Sequence, residues 1–328
     1  MQAGKLTLAD ARRERPLIKE LTRGLTLPIK STIKSLLPKG LLTLIRGESV
    51  ADQQQRFFQQ KNTTLQCGNY QLIAPESHLL IELQKGQPYR DLCIGSCASF
   101  IAKKYPEASF LDIGANIGDT AAVMASHASN KLILVEGSDY YYDFLLKNAA
   151  LLPNEVVTRK AMASDGSPIH GELRHWGGTA YFKHQGDDEP ATPTYQLSEL
   201  ADSHTRFVKI DTDGFECPIL TAAMAWLQKA HPAILFENQL RHEKDVAAFH
   251  RLYDELSEAG YSYFIIWDDP GCHVLSTAEV SAVKDLNRYQ YKMHQINHAQ
   301  RINNYDVLCL HKSDQDIFTA MSQWWRTY

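Results

Sequence analysis

Phe110-Leu111-Asp112-Ile113-Gly114-Ala115-Asn116-Ile117-Gly118-Asp119 reads as an apolar strand running straight into a glycine turn, with helical character in Thr120 to His127 just beyond. Glycines in such a turn let a nucleotide-like ligand approach the backbone closely at the carboxyl end of a first strand. The spacing is not that of a dinucleotide site, which needs Gly-x-Gly-x-x-Gly so that pyrophosphate can rest on the helix N-terminus. Here Asn116 holds the middle glycine position, and the carboxylate of Asp112 would repel a pyrophosphate. A carboxylate at that place suits a ligand carrying an ammonium and a sulfonium, as S-adenosylmethionine does. The second strand, Leu132 to Glu136, ends in an acid able to accept hydrogen bonds from both hydroxyls of a ribose. Asp112, Gly114, Asn116, Gly118 and Glu136 are therefore the expected cofactor residues, against the plainer reading that the two acids merely cap strands.

Outward from this turn, apolar runs alternate with helical periods. Strands are expected at Ser109 to Ile113, Leu132 to Glu136, Val156 to Lys160, Phe207 to Asp211, Ala233 to Glu237, Tyr261 to Trp267 and Tyr305 to His311. Such alternation implies a largely parallel sheet with helices on both faces. A short strand pattern at Asn69 to Pro75 and a helix at Tyr89 to Lys104 lead into it. Two stretches break the rhythm: a Gly- and Pro-punctuated segment from Ser164 to Thr194, read as a functional loop or small hairpin, and an insertion from Asp268 to Asn304, helical in its middle.

Residues 110 to 240 resemble the FkbM family of methyltransferases, in the glycine turn, in Lys209-Ile210-Asp211-Thr212-Asp213-Gly214-Phe215-Glu216, and in the strand ending Phe236-Glu237. Weaker similarity begins near Tyr70. The resemblance implies a class I methyltransferase fold: a Rossmann-like α/β domain with a seven-stranded, mostly parallel sheet and an antiparallel edge strand. It also implies O-methylation of a sugar, a glycan or a secondary metabolite, with S-adenosylmethionine as cofactor. Two departures bear on the loops: Gly137 follows Glu136 where proline is usual, and Asp213 stands where glutamate is more usual.

Methyl transfer to a hydroxyl requires a base, or a metal ion that lowers the pKa of the hydroxyl. Asp211 and Asp213, at the end of the fourth strand, and His175, in the long loop after the third, are the candidate bases; a lone loop histidine is also commonly a surface residue. Asp211 with Glu237 and Asn238 makes an oxygen-only set suited to Mg²⁺ or Mn²⁺, although Lys209 and Glu216 nearby offer a structural ion pair instead. Ser164 and Asp165 are placed to meet the adenine amino group, the alternative being an Asx-type turn before Gly166. The insertion carrying Arg288, Tyr289, Tyr291, His294 and His298 is read either as a cap on the acceptor site or as a helix packed on the sheet.

The 328 residues carry a net charge of -4, with no overall basic footprint for nucleic acid. The Asn/Asp-Pro-Pro-aromatic element that grips a flipped base is also missing after the fourth strand. A non-catalytic module in a glycan-assembly complex, or an N-methyltransferase, remains as an alternative function. Residues 1 to 46 hold ten Lys/Arg against three acids, about +7, leaving about -11 for the rest. Leu17, Ile18, Leu21 and Leu25 repeat there at helical spacing, as do Ile29, Ile33, Leu36 and Leu37. This basic amphipathic extension, bounded at about residue 60, is expected either to dock on the acidic domain or a second copy, or to lie peripherally on the inner face of a membrane. Residues 61 to 328 form the expected methyltransferase domain, with its cofactor core at about 108 to 240 and the insertion at 268 to 304. Six cysteines without zinc-ligand spacing, and no spanning segment or secretory leader, lead to a cytoplasmic expectation.

Overall fold

The computed structural model describes residues 58–87, 89–183, 191–296 and 304–328. The basic extension lies outside the described residues. The chain divides after Gln59 into two units, and the second, Gln60–Tyr328, contains every strand among the described residues.

This unit opens with a hairpin, β1 (Asn62–Cys67) and β2 (Tyr70–Pro75), followed by α1 (Leu80–Gly86) and α2 (Arg90–Lys104). Then come β3 (Ser109–Ile113), α3 (Asp119–His127), β4 (Lys131–Glu136), α4 (Asp139–Ala149) and β5 (Val156–Lys160). Short pieces follow: β6 (Met162–Ala163), β7 (Ile169–His170), a hairpin of β8 (Glu172–Trp176) and β9 (Thr179–Lys183), β10 (Ala191–Thr192), β11 (Thr194–Tyr195) and the one-turn α5 (Leu197–Leu200). The second half runs β12 (Thr205–Ile210), α6 (Glu216–Ala222), α7 (Met224–Ala230), β13 (Ala233–Gln239) and α8 (Glu243–Glu258). It closes with β14 (Tyr261–Asp268), β15 (His273–Thr277), α9 (Val280–Ile296), β16 (Asn304–His311) and α10 (Gln315–Thr327).

The central sheet has eight strands in the order β15-β14-β16-β13-β12-β3-β4-β5. All seven expected strands are in it. The eighth, β15, comes from the insertion, which turns back after Asp268 and adds an antiparallel edge to β14. Strand β16 is antiparallel to both β13 and β14, whereas β13, β12, β3, β4 and β5 are parallel. This is the class I methyltransferase architecture.

Helices on both faces explain the composition of the strands. Every residue of β3 is buried, and β12 and β13 are nearly so, because parallel strands covered on both sides cannot alternate apolar with polar. The edge strand β5 is only half-buried and accordingly ends Thr158-Arg159-Lys160. One large core runs beneath α6, α7 and α8, from Leu111 and Ile133 through Val208 and Phe236 to Tyr253 and Val307.

The insertion takes the packing alternative. Helix α9 buries Val283, Asn287 and Gln290 against the domain, while Tyr289 is exposed. His298 lies outside the described residues. Among the described residues of the insertion, Asp269 and Asn304 line the cleft, whereas α9 packs on the domain, the second of the two readings.

Candidate functional site

The chain leaves β3 for β4 and β5 on one side and later returns to β12 on the other. Sequential strands diverge here, so a crevice opens above the carboxyl ends of β3 and β12, the switch point where open α/β sheets bind ligands. The glycine turn sits in it. Gly114 adopts φ +79°, and a Cβ there would lie 1.9 Å from the carbonyl oxygen of Asp211, so only glycine lets the two strand ends converge. Gly118, at φ +89°, opens α3, and Asn116 occupies the left-handed region at φ +49°, which asparagine tolerates.

The turn is braced from three sides. The Asn116 backbone N–H donates to Glu136 Oε2 at 2.9 Å, and its Nδ2 donates to the Gly178 carbonyl at 2.8 Å. His78 Nε2 approaches Asn116 Oδ1 at 3.2 Å, while its Nδ1 accepts from the Leu80 N–H at 3.4 Å. Asn148 of α4 donates to the carbonyls of Ile117 and Ile73, buckling the turn to β2. The tip of the β8–β9 hairpin lies across the crevice, held by the Leu79 N–H on the Gly177 carbonyl and by the Thr179 hydroxyl on Asp213 Oδ2.

Two chambers result, and Gly114, Asn116, Thr179, Asp211 and Asp213 line both, so one ligand can span them. The smaller is walled by Glu136, Tyr141, Met162, Ala163 and Phe215, an acid at the rim of an apolar slot. Glu136 also accepts from the Ser138 N–H at 2.7 Å; burial pushes its pKa up to about 7 against the pull of these backbone donors. The larger chamber, about 220 Å³, reaches from Thr120 and Asp119 past Asp211 to Glu237, Asp306 and Arg90. The glycine cradle, the acid at the end of β4 and the apolar slot beside it fit S-adenosylmethionine, which Glu136 would hold by its ribose, Met162 and Phe215 by its adenine, and Gly114 and Asn116 by its methionine, running toward Thr120.

Several expected site residues stand elsewhere. Asp112 is fully buried beneath the turn and lines neither chamber. It accepts from the Thr120 hydroxyl and pairs with Lys209 Nζ at 3.2 Å. Its expected direct contact with the cofactor is corrected to an indirect one, because β3 is buried on both faces and its side chains meet neighbouring elements. Lys209 also lies 3.5 Å from Asp211 and 3.4 Å from the Gly114 carbonyl. Burial works against the lysine charge, but Asp112 and then Asp211 outweigh it, and its pKa is raised.

Glu216 is not the partner of Lys209; its Oε1 accepts from the backbone N–H and hydroxyl of Thr212, both at 2.8 Å, and braces the loop after β12. Asp165 accepts from the Ser167 N–H at 2.8 Å, forming the Asx-type turn before Gly166. Neither Ser164 nor Asp165 lines a chamber. His175, on β8 of the hairpin, faces α4, its Nε2 2.6 Å from Ser138 Oγ and its ring against Tyr140 and Tyr141. It lines neither chamber, and burial lowers its pKa. The strand alternation of β13 separates the three expected metal ligands. Glu237 faces the larger chamber, whereas Asn238 faces the core and donates to Tyr253 Oη and Asn287 Oδ1 at 3.1 and 2.6 Å. Among the described residues no group of three or more His, Cys, Asp or Glu is disposed to hold a metal ion.

The loop departures have local causes. A Cβ at Gly137 would lie 2.0 Å from Met162 Sδ, so a larger residue there would require the Met162 side chain to move. Asp213 adopts φ +56° before Gly214 at φ +121°, and burial raises its pKa. Sequence reasoning missed His78, Asn148, Thr179 and Asp306. For Asp306 a signal existed, since a carboxylate interrupts the otherwise apolar run Tyr305 to Leu310.

The fold is that of class I methyltransferases, and the crevice at its switch point fits S-adenosylmethionine. Residues 112–263 match the family model described as the methyltransferase FkbM domain. No curated protein matches the chain at a significant level. Among solved structures it is similar to the methyltransferase FkbM from Methylobacillus flagellatus KT, at 12% identity and a TM-score of 0.32, over 62% of this chain and 43% of that one. The chain thus spans less than half the length of that relative. It is also similar to the plantazolicin methyltransferase BamL, solved with SAH and a triazolic desmethylPZN analog, at 9% identity and a TM-score of 0.38, over 71% of this chain and 89% of that one.

Proposed function

We propose that the protein transfers a methyl group to a hydroxyl of a sugar, a glycan or a secondary metabolite. The observation that carries this reading is the larger chamber: it continues from the cofactor cradle and is lined beyond Asp211 by carboxylates, which bind and deprotonate hydroxyls. The cofactor supplies an electrophilic methyl on a sulfonium. Glu136 and the glycine turn hold the adenosine end, so that the methyl faces Asp211. Asp211, with a side chain 45% exposed, is the freest carboxylate at this junction and accepts the hydroxyl proton as the carbon–oxygen bond forms and the carbon–sulfur bond breaks. Lys209, beside it, keeps the proton-accepting carboxylate in place. Asp213, held by Thr179 and 3.8 Å from Arg241, positions the hairpin tip.

Six free cysteines fit a reducing cytoplasmic location. Among the described residues no helix is long and apolar enough to cross a membrane. The test is incubation with methyl-labelled cofactor and fractionated glycan, lipid and small-molecule extracts. Label in an alkali-stable methyl ether is the expected result. Label only on nitrogen, or cofactor binding without transfer to any pool, would overturn the reading.

A further inference from the structure

The larger chamber carries more negative charge than its own cations balance. Seven Asp and Glu side chains line it against Lys209 and Arg90 alone, and both cations are engaged. Lys209 bridges Asp112 and Asp211, and Arg90 lies 3.5 Å from Asp269 while its charge also acts on Asp306 and Asp211. One guanidinium shared among several carboxylates leaves Glu237 and Asp306 without a cation of their own. They are paired residues on the adjacent strands β13 and β16, both facing the chamber, and neither makes an ion pair with a described residue. Glu237 Oε2 is buried without a hydrogen-bond partner.

Two neighbouring carboxylates removed from water are costly unless a positive group joins them. Their titration reflects that cost: burial, then the charge of Asp211, pushes Asp306 up to about 7 and Glu237 well above the usual carboxylate range. The cofactor brings its sulfonium to the junction with Asp211 and its ammonium toward Thr120, neither of them to this far end.

Resting on the methyltransferase reading above, we propose that Glu237 and Asp306 receive a protonated amine, so that the acceptor is an amino alcohol of the amino-sugar class. Its ammonium sits between the two strands and its neighbouring hydroxyl is presented to Asp211. An ammonium held by two carboxylates keeps its proton and has no lone pair to accept a methyl, which directs transfer to oxygen. The same field disfavours acceptors bearing phosphate or carboxylate.

The test uses the full chain saturated with S-adenosylhomocysteine, in EDTA so that no divalent ion stands in for the amine. Binding of glucosamine, glucose and glucuronate is measured by ligand-observed NMR near neutral pH. Glucosamine is expected to bind about tenfold or more tightly than glucose, with glucuronate weakest. In Glu237→Gln/Asp306→Asn the glucosamine advantage should disappear while S-adenosylhomocysteine affinity, measured by calorimetry, is retained, which also shows that the variant is folded. Glucosamine binding no better than glucose, including no binding by either, overturns the inference, as does an advantage that survives in the variant. Failure to bind S-adenosylhomocysteine at all would instead overturn the methyltransferase reading.

Discussion

Gly114→Ala tests the geometry that unites fold and site. The new Cβ would lie 1.9 Å from the carbonyl oxygen of Asp211, and contacts below 3.0 Å are not sustained, so the two strand ends must part by about 1 Å. A shift of that size at a reacting group costs on the order of 100-fold in rate. The left-handed φ of +79° adds about 1 to 2 kcal/mol of destabilisation for any residue with a Cβ. Gly260→Ala is the matched control: φ is +94° and its Cβ would lie 2.7 Å from His311 Nε2, but the residue precedes β14 at the opposite end of the sheet. Both variants should lose thermal stability. Only Gly114→Ala should lose kcat/KM for methyl transfer, by about two orders of magnitude. If Gly114→Ala stays within a few-fold of the parent in kcat/KM, the close approach of β3 and β12 does not set the position of Asp211, and the reasoning fails.

Glu136→Gln should weaken S-adenosylhomocysteine binding by about 1 to 3 kcal/mol, the range for a charged hydrogen-bond partner, as read by calorimetry. Turnover should persist in excess EDTA, since Asn238 faces the core; abolition by chelator and recovery with Mg²⁺ would restore the metal reading. Glu136, Glu216 and Asp306 are each raised to about 7 by burial from ordinary values of 4.5, 4.5 and 3.8, so the folded state holds protons that the unfolded chain has released. Stability of the ligand-free protein should therefore fall as pH rises from about 4 to about 7, with a shallower slope in Glu136→Gln; a urea midpoint that climbs over this window would contradict the assignment. If the basic extension lies on anionic membranes, the full chain should sediment with anionic but not neutral liposomes at low salt. Recovery in the supernatant with both would favour docking on the domain or a second copy.

The fold was legible because its signals are local. Phe110 to Asp119 states strand, turn and helix in ten residues, and seven apolar runs alternating with helical periods imply a largely parallel sheet covered on both faces. Glu136 at the end of β4 was readable for the same reason, since strand order fixes which ends share an edge. Side-chain direction was not readable. Glu237 and Asn238 are neighbours in sequence, yet β alternation sends one to the chamber and the other into the core.

Asp112 looked like a ligand contact because it precedes the turn, but burial on both faces of β3 turned it toward Thr120 and Lys209. The sequence alone determined the class of sheet, the place of its glycine turn and the chemistry of the ligand that suits it. Only the tertiary structure decided that Asp306, far from Glu237 along the chain, would share its chamber, and that His175 on the hairpin would turn toward Ser138 and the tyrosines of α4. Such neighbours are chosen by strand order and packing, which no local spacing records.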